Sequence, residues 1–288
     1  MSKQDRYIWV DGEILSDRTP VFRAESKGLM YGAGCFETFL SYKGEFLHLE
    51  EHLERLAKGL YYLGVTTSPF SSVKELRNIV GKLLGMNRLG SSRASIRIQC
   101  SLSGGRGYSI GKEVALQSVV TTDPVPDPEE GYQLALSDVR SVPGSSRPSN
   151  LKLSNAIHYM KAWQQAARQG ADDALILTRD ALVSETALAN IFWKKGNRVF
   201  TPSEDCDLLP GIQRQLVSTL ITEMKGVELI FGRYRPEELL ESDIVWVTNS
   251  VKEILPVTKL EKVRFPKEDP FYESLFQAFE EYKSSHLS

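Results

Sequence analysis

The sequence predicts an α+β protein of two domains, and three observations carry that reading. Strand-like and helix-like stretches are interleaved without the strict βαβ alternation of a doubly wound parallel sheet. Short strands cluster around tight turns, as hairpins require. One segment, "DPVPDPEEG" (123–131), holds three prolines and four acids, a composition that breaks both helix and strand. It links a small N-terminal α/β domain, residues 1–122, to a larger C-terminal domain, residues 132–288, of mixed strands and helices.

In chain order, "YIWVDGEIL" is a hairpin turning at Asp11-Gly12, because that dipeptide readily takes the positive φ angles of a primed turn. "CFETFLSYKGEFLHL" is a second hairpin turning at Lys43-Gly44. Leu49, Leu53, Leu56 and Leu60 recur at helical spacing, and "VKELRNIVGKLLGM" repeats the pattern. The strands "ASIRIQCSL" and "VALQSVVTT" flank a glycine-rich loop, "SGGRGYSIGK". After the linker, the strand "YQLALSDVRSV" leads through a Pro/Ser-rich loop to Lys152. The next helix is expected to be capped by Ser154 or Asn155, with Ala156, Met160, Trp163 and Ala167 on one face. Short strands follow at "DALILT", "ALVSE", "NIFWKK" and "RVFTP". "LLPGIQRQLVSTLITEMKG" is a helix between Gly211 and Gly226, followed by the strands "IVWVTN" and "EILPVTKL". A last helix is capped at Asp269-Pro270.

Composition narrows the function classes. The 288 residues are 41% hydrophobic and 25% charged, as in an ordinary globular protein. A net charge of −2 gives no reason to expect nucleic acid or an anionic membrane as partner. There is no apolar run of membrane-spanning length and no signal-peptide core. Three scattered cysteines, Cys35, Cys100 and Cys206, fit a reducing compartment, so a cytoplasmic protein is expected.

Several motifs are candidates for chemistry. "HLEEH" (His48 to His52) fits a zinc-peptidase spacing, but His48 falls at a strand–helix junction, so surface histidines are the expected reading and no metal is assigned. "GGRGYSIGK" lacks the glycine spacing of a phosphate loop, and Glu113 follows Lys112 where a hydroxyl should stand. Lys152 lies between two leucines, where an ammonium must be paired or neutralised. Glu185 sits among apolar residues at a strand end, Arg55 beside the leucine stripe, and "LPGIQR" at a helix start. A lysine, an acid, an arginine and a helix N-terminus are the parts a pyridoxal phosphate site requires.

Six blocks, "YGAGCFETF", "HLERL", "LKLSN", "DDALIL…VSETALANIFW", "LLPGIQR" and "VTNSVKEILPV", stand in the order found in the fold-type IV pyridoxal-phosphate enzymes. The chain resembles that family from about residue 8 to about residue 260. The resemblance implies a two-domain fold like that of the D-amino-acid aminotransferases, a homodimer, and a small-molecule amine as substrate. It implies that Lys152 bonds to the cofactor, with Asn155 three residues on. It further implies that Glu185 meets the pyridine nitrogen, Arg55 the phosphate, and Leu209 the underside of the ring. Ile212 and Gln213 would offer backbone N–H groups to the phosphate, and Ser250 stands where relatives often carry threonine.

Within the family, "SGGRGYS" and Thr38 resemble the aminodeoxychorismate lyases, whereas "LSNAIHY" departs from their usual run. The resemblance therefore implies a lyase that forms 4-aminobenzoate and pyruvate, with Thr38 as proton donor. The alternative is a class IV transaminase acting on D-amino acids, branched-chain amino acids or (R)-amines with a 2-keto acid. Tyr31, Arg97 and Arg106 are candidates for binding substrate carboxylates under either reading.

Overall fold

The structure, a computed structural model, describes residues 6–109, 115–126 and 131–288. Part of the linker (127–130) and Gly111, Lys112 and Glu113 lie outside the described residues. The chain divides into two compact units. One comprises Met1–Pro126, Leu151–Asn155 and Leu287–Ser288; the other comprises Asp127–Asn150 and Ala156–His286.

The first unit contains β1 (Tyr7–Val10), β2 (Glu13–Ser16), α1 (Lys27–Tyr31), β3 (Gly34–Tyr42), β4 (Glu45–Phe46), α2 (Leu49–Tyr62), α3 (Val73–Met86), β5 (Arg93–Ser103) and β6 (Ala115–Pro124). Both expected hairpins form, with Asp11 at φ 47° and Lys43 at φ 58° in their turns. The strands make an antiparallel sheet in the order β2-β1-β6-β5-β3-β4. One face of that sheet is apolar, with Ile96, Ile98, Cys100 and Val120 fully buried. Leu49, Leu56 and Leu60 of α2 and Leu76, Val80 and Leu83 of α3 share the same core. Leu53 packs at its margin, only partly buried.

The segment bearing Lys152 belongs to this unit, not to the C-terminal domain expected from its place in the sequence. Its backbone extends the edge of β3: the Phe36 N–H donates to the Lys152 carbonyl at 3.0 Å, and the Ser154 N–H to the Gly34 carbonyl at 2.8 Å. Cys35 and Leu153 form the bridge between these two bonds. Hydrogen bonding, rather than proximity in sequence, decides where this lysine sits.

The second unit contains β7 (Tyr132–Arg140), α4 (Ile157–Arg168), β8 (Asp173–Leu177), β9 (Val183–Thr186), β10 (Asn190–Lys195), β11 (Arg198–Pro202), α5 (Ile212–Glu223), β12 (Glu228–Gly232), α6 (Pro236–Leu240), β13 (Ile244–Asn249), β14 (Glu253–Leu260), β15 (Val263–Arg264) and α7 (Pro270–His286). Its sheet is mixed, in the order β12-β11-β10-β13-β14-β7-β8-β9, with β15 on β14. The pairs β11–β12, β14–β7 and β7–β8 are parallel and the others antiparallel. Asp269 caps α7 as expected, its Oδ1 accepting from the Phe271 N–H at 2.9 Å.

The buried face of α4 differs from the expected one. Met160 and Trp163 are exposed, while Ala162 and Ala166 are buried. Close approach of the helix to β7 and β8 selects small side chains, which pack with Ala135, Ala174 and Ile176. Neither Ser154 nor Asn155 caps the helix; Ala156 holds the cap position, with no side-chain hydrogen bond. Among the described residues no helix is long and apolar enough to cross a membrane.

Candidate active site

In the first unit, β3 presents two different faces. Alternation turns Glu37 to the core side, while Phe36 and Thr38 face the other way. On that second face Phe36 lies opposite Gln99, and Thr38 opposite Arg97. The Arg97 guanidinium stacks 3.9 Å from the Phe36 ring centroid, and the Lys152 Nζ lies 4.7 Å from the same centroid. Arg97 Nη2 donates to Gln99 Oε1 at 2.9 Å, and Gln99 Nε2 to Ser154 Oγ at 2.7 Å. Thr38 therefore has a cation as its cross-strand neighbour. Lys152, Thr38 and Arg97 are brought together on one surface.

Arg55 is held from the core side. Its Nε donates to Glu37 Oε1 at 2.6 Å and its Nη2 to Glu37 Oε2 at 2.9 Å. The same Oε2 accepts from His52 Nδ1 at 2.7 Å, since an ionised carboxylate can only accept. Glu37 is 0% exposed and His52 2%. Burial alone would push the Glu37 carboxyl up, but the hydrogen bonds and charge of Arg55, joined by His52, hold it down at about 2. Burial wins at His52, whose pKa is lowered despite the pull of Glu37. The "HLEEH" histidines thus serve different carboxylates, because His48 Nδ1 meets Glu51 at 2.8 Å. No group of three metal-binding side chains occurs among the described residues.

Tyr31 and Arg106 lie at the glycine-rich loop. The Tyr31 hydroxyl accepts from the Gly107 N–H at 3.1 Å, and Arg106 is exposed.

In the second unit, Glu185 ends β9 and is 5% exposed. Its Oε1 accepts from the Tyr159 hydroxyl at 2.5 Å, and its Oε2 from Asn190 Nδ2 at 3.2 Å. Burial, then the Glu185 charge, raises the Tyr159 pKa, so the phenol keeps its proton and donates. Asn190 Nδ2 also donates to the Leu209 carbonyl at 2.8 Å. Its Oδ1 lies so near Gly211 that a Cβ there would stand 2.3 Å away, which restricts that position to glycine. One asparagine thereby links Glu185, Leu209 and the start of α5.

These groups fit the cofactor that the resemblance implies. Glu185 is an acceptor backed by two donors. No side chain caps α5 at Gly211, leaving its first turn to an anion. Gln213 carries a buried Nε2 with no hydrogen-bond acceptor among the described residues. Ser250 stands in the turn after β13, beyond Asn249, whose Nδ2 donates to the Leu188 carbonyl at 2.9 Å. A separate groove of about 630 Å³, lined in part by Arg179, Asp205, Asp207 and Arg233, contains none of these residues.

Glu37, Tyr159 and Asn190 are not among the residues picked out from sequence, and His52 stands out there only as part of "HLEEH". A signal for Glu37 exists: alternation in "CFETF" puts an acid on the Cys35/Phe39 face, where it needs a buried partner. Nothing comparable marks Asn190, whose role depends on three separate segments.

Comparison with known proteins agrees with the geometry. The sequence profile of the family described as amino-transferase class IV matches residues 34–260. The aminodeoxychorismate lyase of Bacillus subtilis (strain 168) is 33% identical over 263 residues, covering 90% of this chain and 88% of that protein. The D-alanine aminotransferase of Bacillus licheniformis is 27% identical over 254 residues, covering 88% of each chain. A branched-chain aminotransferase of Thermoproteus uzoniensis shares the fold at a TM-score of 0.87, with 21% identity over 99% of both chains. The profile spans residues from both units, and the first relative shares a third of its aligned residues along nine-tenths of the chain: this protein belongs to the class IV aminotransferase family, whose cofactor is pyridoxal 5′-phosphate.

Proposed function

We propose that the protein is an aminodeoxychorismate lyase, converting 4-amino-4-deoxychorismate to 4-aminobenzoate and pyruvate. The observation that carries this reading is the pairing of Thr38 with Arg97 beside Lys152. Arg97 is partly buried, and its side chain meets the neutral amide of Gln99 and the Phe36 ring. Such a guanidinium is suited to a substrate carboxylate, with a hydroxyl next to it to protonate a leaving oxygen. The lyase name of the 33% identical relative supports the same choice.

When bound, pyridoxal phosphate supplies an electron sink for the carbon that bears the substrate amine. Lys152 Nζ would hold the cofactor and, once substrate is bound, would take the proton from that carbon. Thr38 Oγ1 donates to the enolpyruvyl oxygen as the C–O bond breaks, and the side chain departs as pyruvate. Arg97 orients a carboxylate of the substrate. Glu185, fixed by Tyr159 and Asn190, would keep a proton on the pyridine nitrogen. Arg55, and separately the first turn of α5, would be the groups suited to hold the phosphate.

The deciding assay incubates purified protein with aminodeoxychorismate and follows pyruvate and 4-aminobenzoate, beside D- and L-amino acids with 2-oxoglutarate. Equimolar pyruvate and 4-aminobenzoate are expected. Amino transfer without pyruvate would replace the lyase with the transaminase that the D-alanine aminotransferase relatives suggest.

Two predictions belong to this reading. Borohydride treatment of the yellow protein should fix the cofactor mass on Lys152, read by peptide mass spectrometry; label on a different lysine would remove Lys152 from its role. Thr38→Val keeps the shape and deletes the hydroxyl. It should slow pyruvate release by about 10²-fold, the scale of one general acid, while side transamination of D-alanine falls far less. Equal losses in both reactions would make Thr38 a structural residue only.

A further inference from the structure

Lys27 is 8% exposed, yet no step above uses it. Lysine is almost never so buried without partners, and here the partners are two backbone carbonyls. Lys27 Nζ donates to the Gly105 carbonyl at 2.8 Å and to the Gly107 carbonyl at 2.5 Å. These carbonyls flank Arg106. The loop turns through Gly104 at φ 113° and Gly107 at φ 88°, conformations that leave a free loop many alternatives. A third tie comes from Tyr31, whose hydroxyl accepts the Gly107 N–H and whose ring lies 5.3 Å from that of Tyr108. Lys27 and Tyr31 both stand on α1, anchored where Ser26 Oγ donates to the Leu102 carbonyl at 3.2 Å, at the end of β5. The result is a tied-down stretch, residues 105–108, that carries an exposed arginine without an ion-pair partner among the described residues.

We propose that Lys27 is a positioning residue that clamps the backbone on either side of Arg106, at Gly105 and Gly107, so that Arg106 is presented to a carboxylate of the substrate. A loop held in one shape loses less conformational entropy when the anion binds, and that difference appears as affinity. The proposal rests on the reading of Arg106 as a substrate-carboxylate ligand. It adds that recognition of an anionic substrate depends on a cation that never touches it. The clamped carbonyls belong to exposed residues, so water can replace the ammonium there. Removing Lys27 should therefore free the loop and leave the fold intact.

The experiment compares the parent holoenzyme with Lys27→Met, Lys27→Arg and Arg106→Gln. Brief trypsin treatment, followed by mass spectrometry of the cut at Arg106–Gly107, reads loop order without reference to any reaction. Lys27→Met should be cut about tenfold faster, and Lys27→Arg should return the rate toward the parent's. Steady-state kinetics should show KM for aminodeoxychorismate rising about tenfold in Lys27→Met, with kcat changed by less than about twofold. The double variant Lys27→Met/Arg106→Gln should match Arg106→Gln alone, because two residues acting through one contact are not additive.

Unchanged cutting in Lys27→Met would overturn the clamp. Faster cutting with unchanged KM would overturn its part in recognition. If the parent releases no pyruvate, the lyase reading fails separately, and the KM of the dicarboxylate 2-oxoglutarate replaces that of aminodeoxychorismate in the same comparison.

Discussion

Glu37→Ala should cost about 3–5 kcal/mol of stability, the scale for breaking a buried ion pair by removing one partner. The size follows from what is left behind. Glu37 accepts three hydrogen bonds with none of its surface exposed. Without it, the Arg55 guanidinium, 11% exposed, and the His52 ring, 2% exposed, lose the carboxylate that both donate to. Glu37→Gln keeps the shape but removes the negative charge beside Arg55, so it should fall between alanine and the parent. Urea denaturation of the three holoproteins would measure the series, and a Glu37→Ala loss below about 1 kcal/mol would show that the pair contributes little.

The same pair gives an acid signature with a definite sign. The folded Glu37 carboxyl, at about 2, lies below its ordinary value of 4.5. Its contribution is therefore complete above about pH 4.5 and fades as pH falls toward about 2. His52 acts in the same direction, because burial favours its neutral form and acid charges it. Glu37→Gln should accordingly flatten the loss of stability between those two pH values. Arg55→Ala, by contrast, is a mixed probe. Loss of a charge-assisted phosphate contact would weaken cofactor binding about 10- to 100-fold, but it would also strand a buried carboxylate. Pairing Arg55→Gln with Glu37→Gln separates the two effects.

What was legible from sequence depended on the range of the interactions involved. The hairpins at Asp11-Gly12 and Lys43-Gly44, the leucine face of α2 and the Asp269 cap are all decided within a few residues, and each forms as expected. The face of α4 was not legible, because the closeness of the sheet beneath it selects Ala162 and Ala166 over larger apolar side chains. Lys152 stands out by its residue type and its place between two leucines, but its attachment to β3 is made by backbone bonds that any residue could supply. Glu37 was hidden for a related reason. Its partners His52 and Arg55 lie 15 and 18 residues away, across a hairpin turn and on a helix. Asn190 joins groups from β9, the segment before α5 and α5's own cap, and only the fold brings them together.

Glu185→Gln should lower kcat by about 10²–10⁴-fold while cofactor remains bound at saturating concentration, on the scale of removing a preorganised charge from a reaction centre. The amide cannot keep a proton on the pyridine nitrogen as a carboxylate does. The local geometry makes the substitution costly a second way. Both Glu185 oxygens face donors, Tyr159 Oη and Asn190 Nδ2. Glutamine can turn its oxygen to only one of them and must point its NH₂ at the other. Asn190 cannot relieve the conflict by flipping, because its Nδ2 also serves the Leu209 carbonyl and its Oδ1 lies against Gly211. Tyr159, largely buried, can rotate its hydroxyl hydrogen away only by giving up the acceptor it has at Glu185. An unsatisfied donor of this kind costs about 1–3 kcal/mol, so Glu185→Gln should also lose measurable thermal stability without its cofactor. Tyr159→Phe should restore part of that stability in the Glu185→Gln background, because it removes one of the competing donors, but should not restore turnover. Absorbance titration with pyridoxal phosphate, melting of the apoprotein and kcat at saturating cofactor read the three effects independently. A Glu185→Gln turnover within about tenfold of the parent would sink the assignment of Glu185 to the ring nitrogen, even if the melting temperature moved as expected.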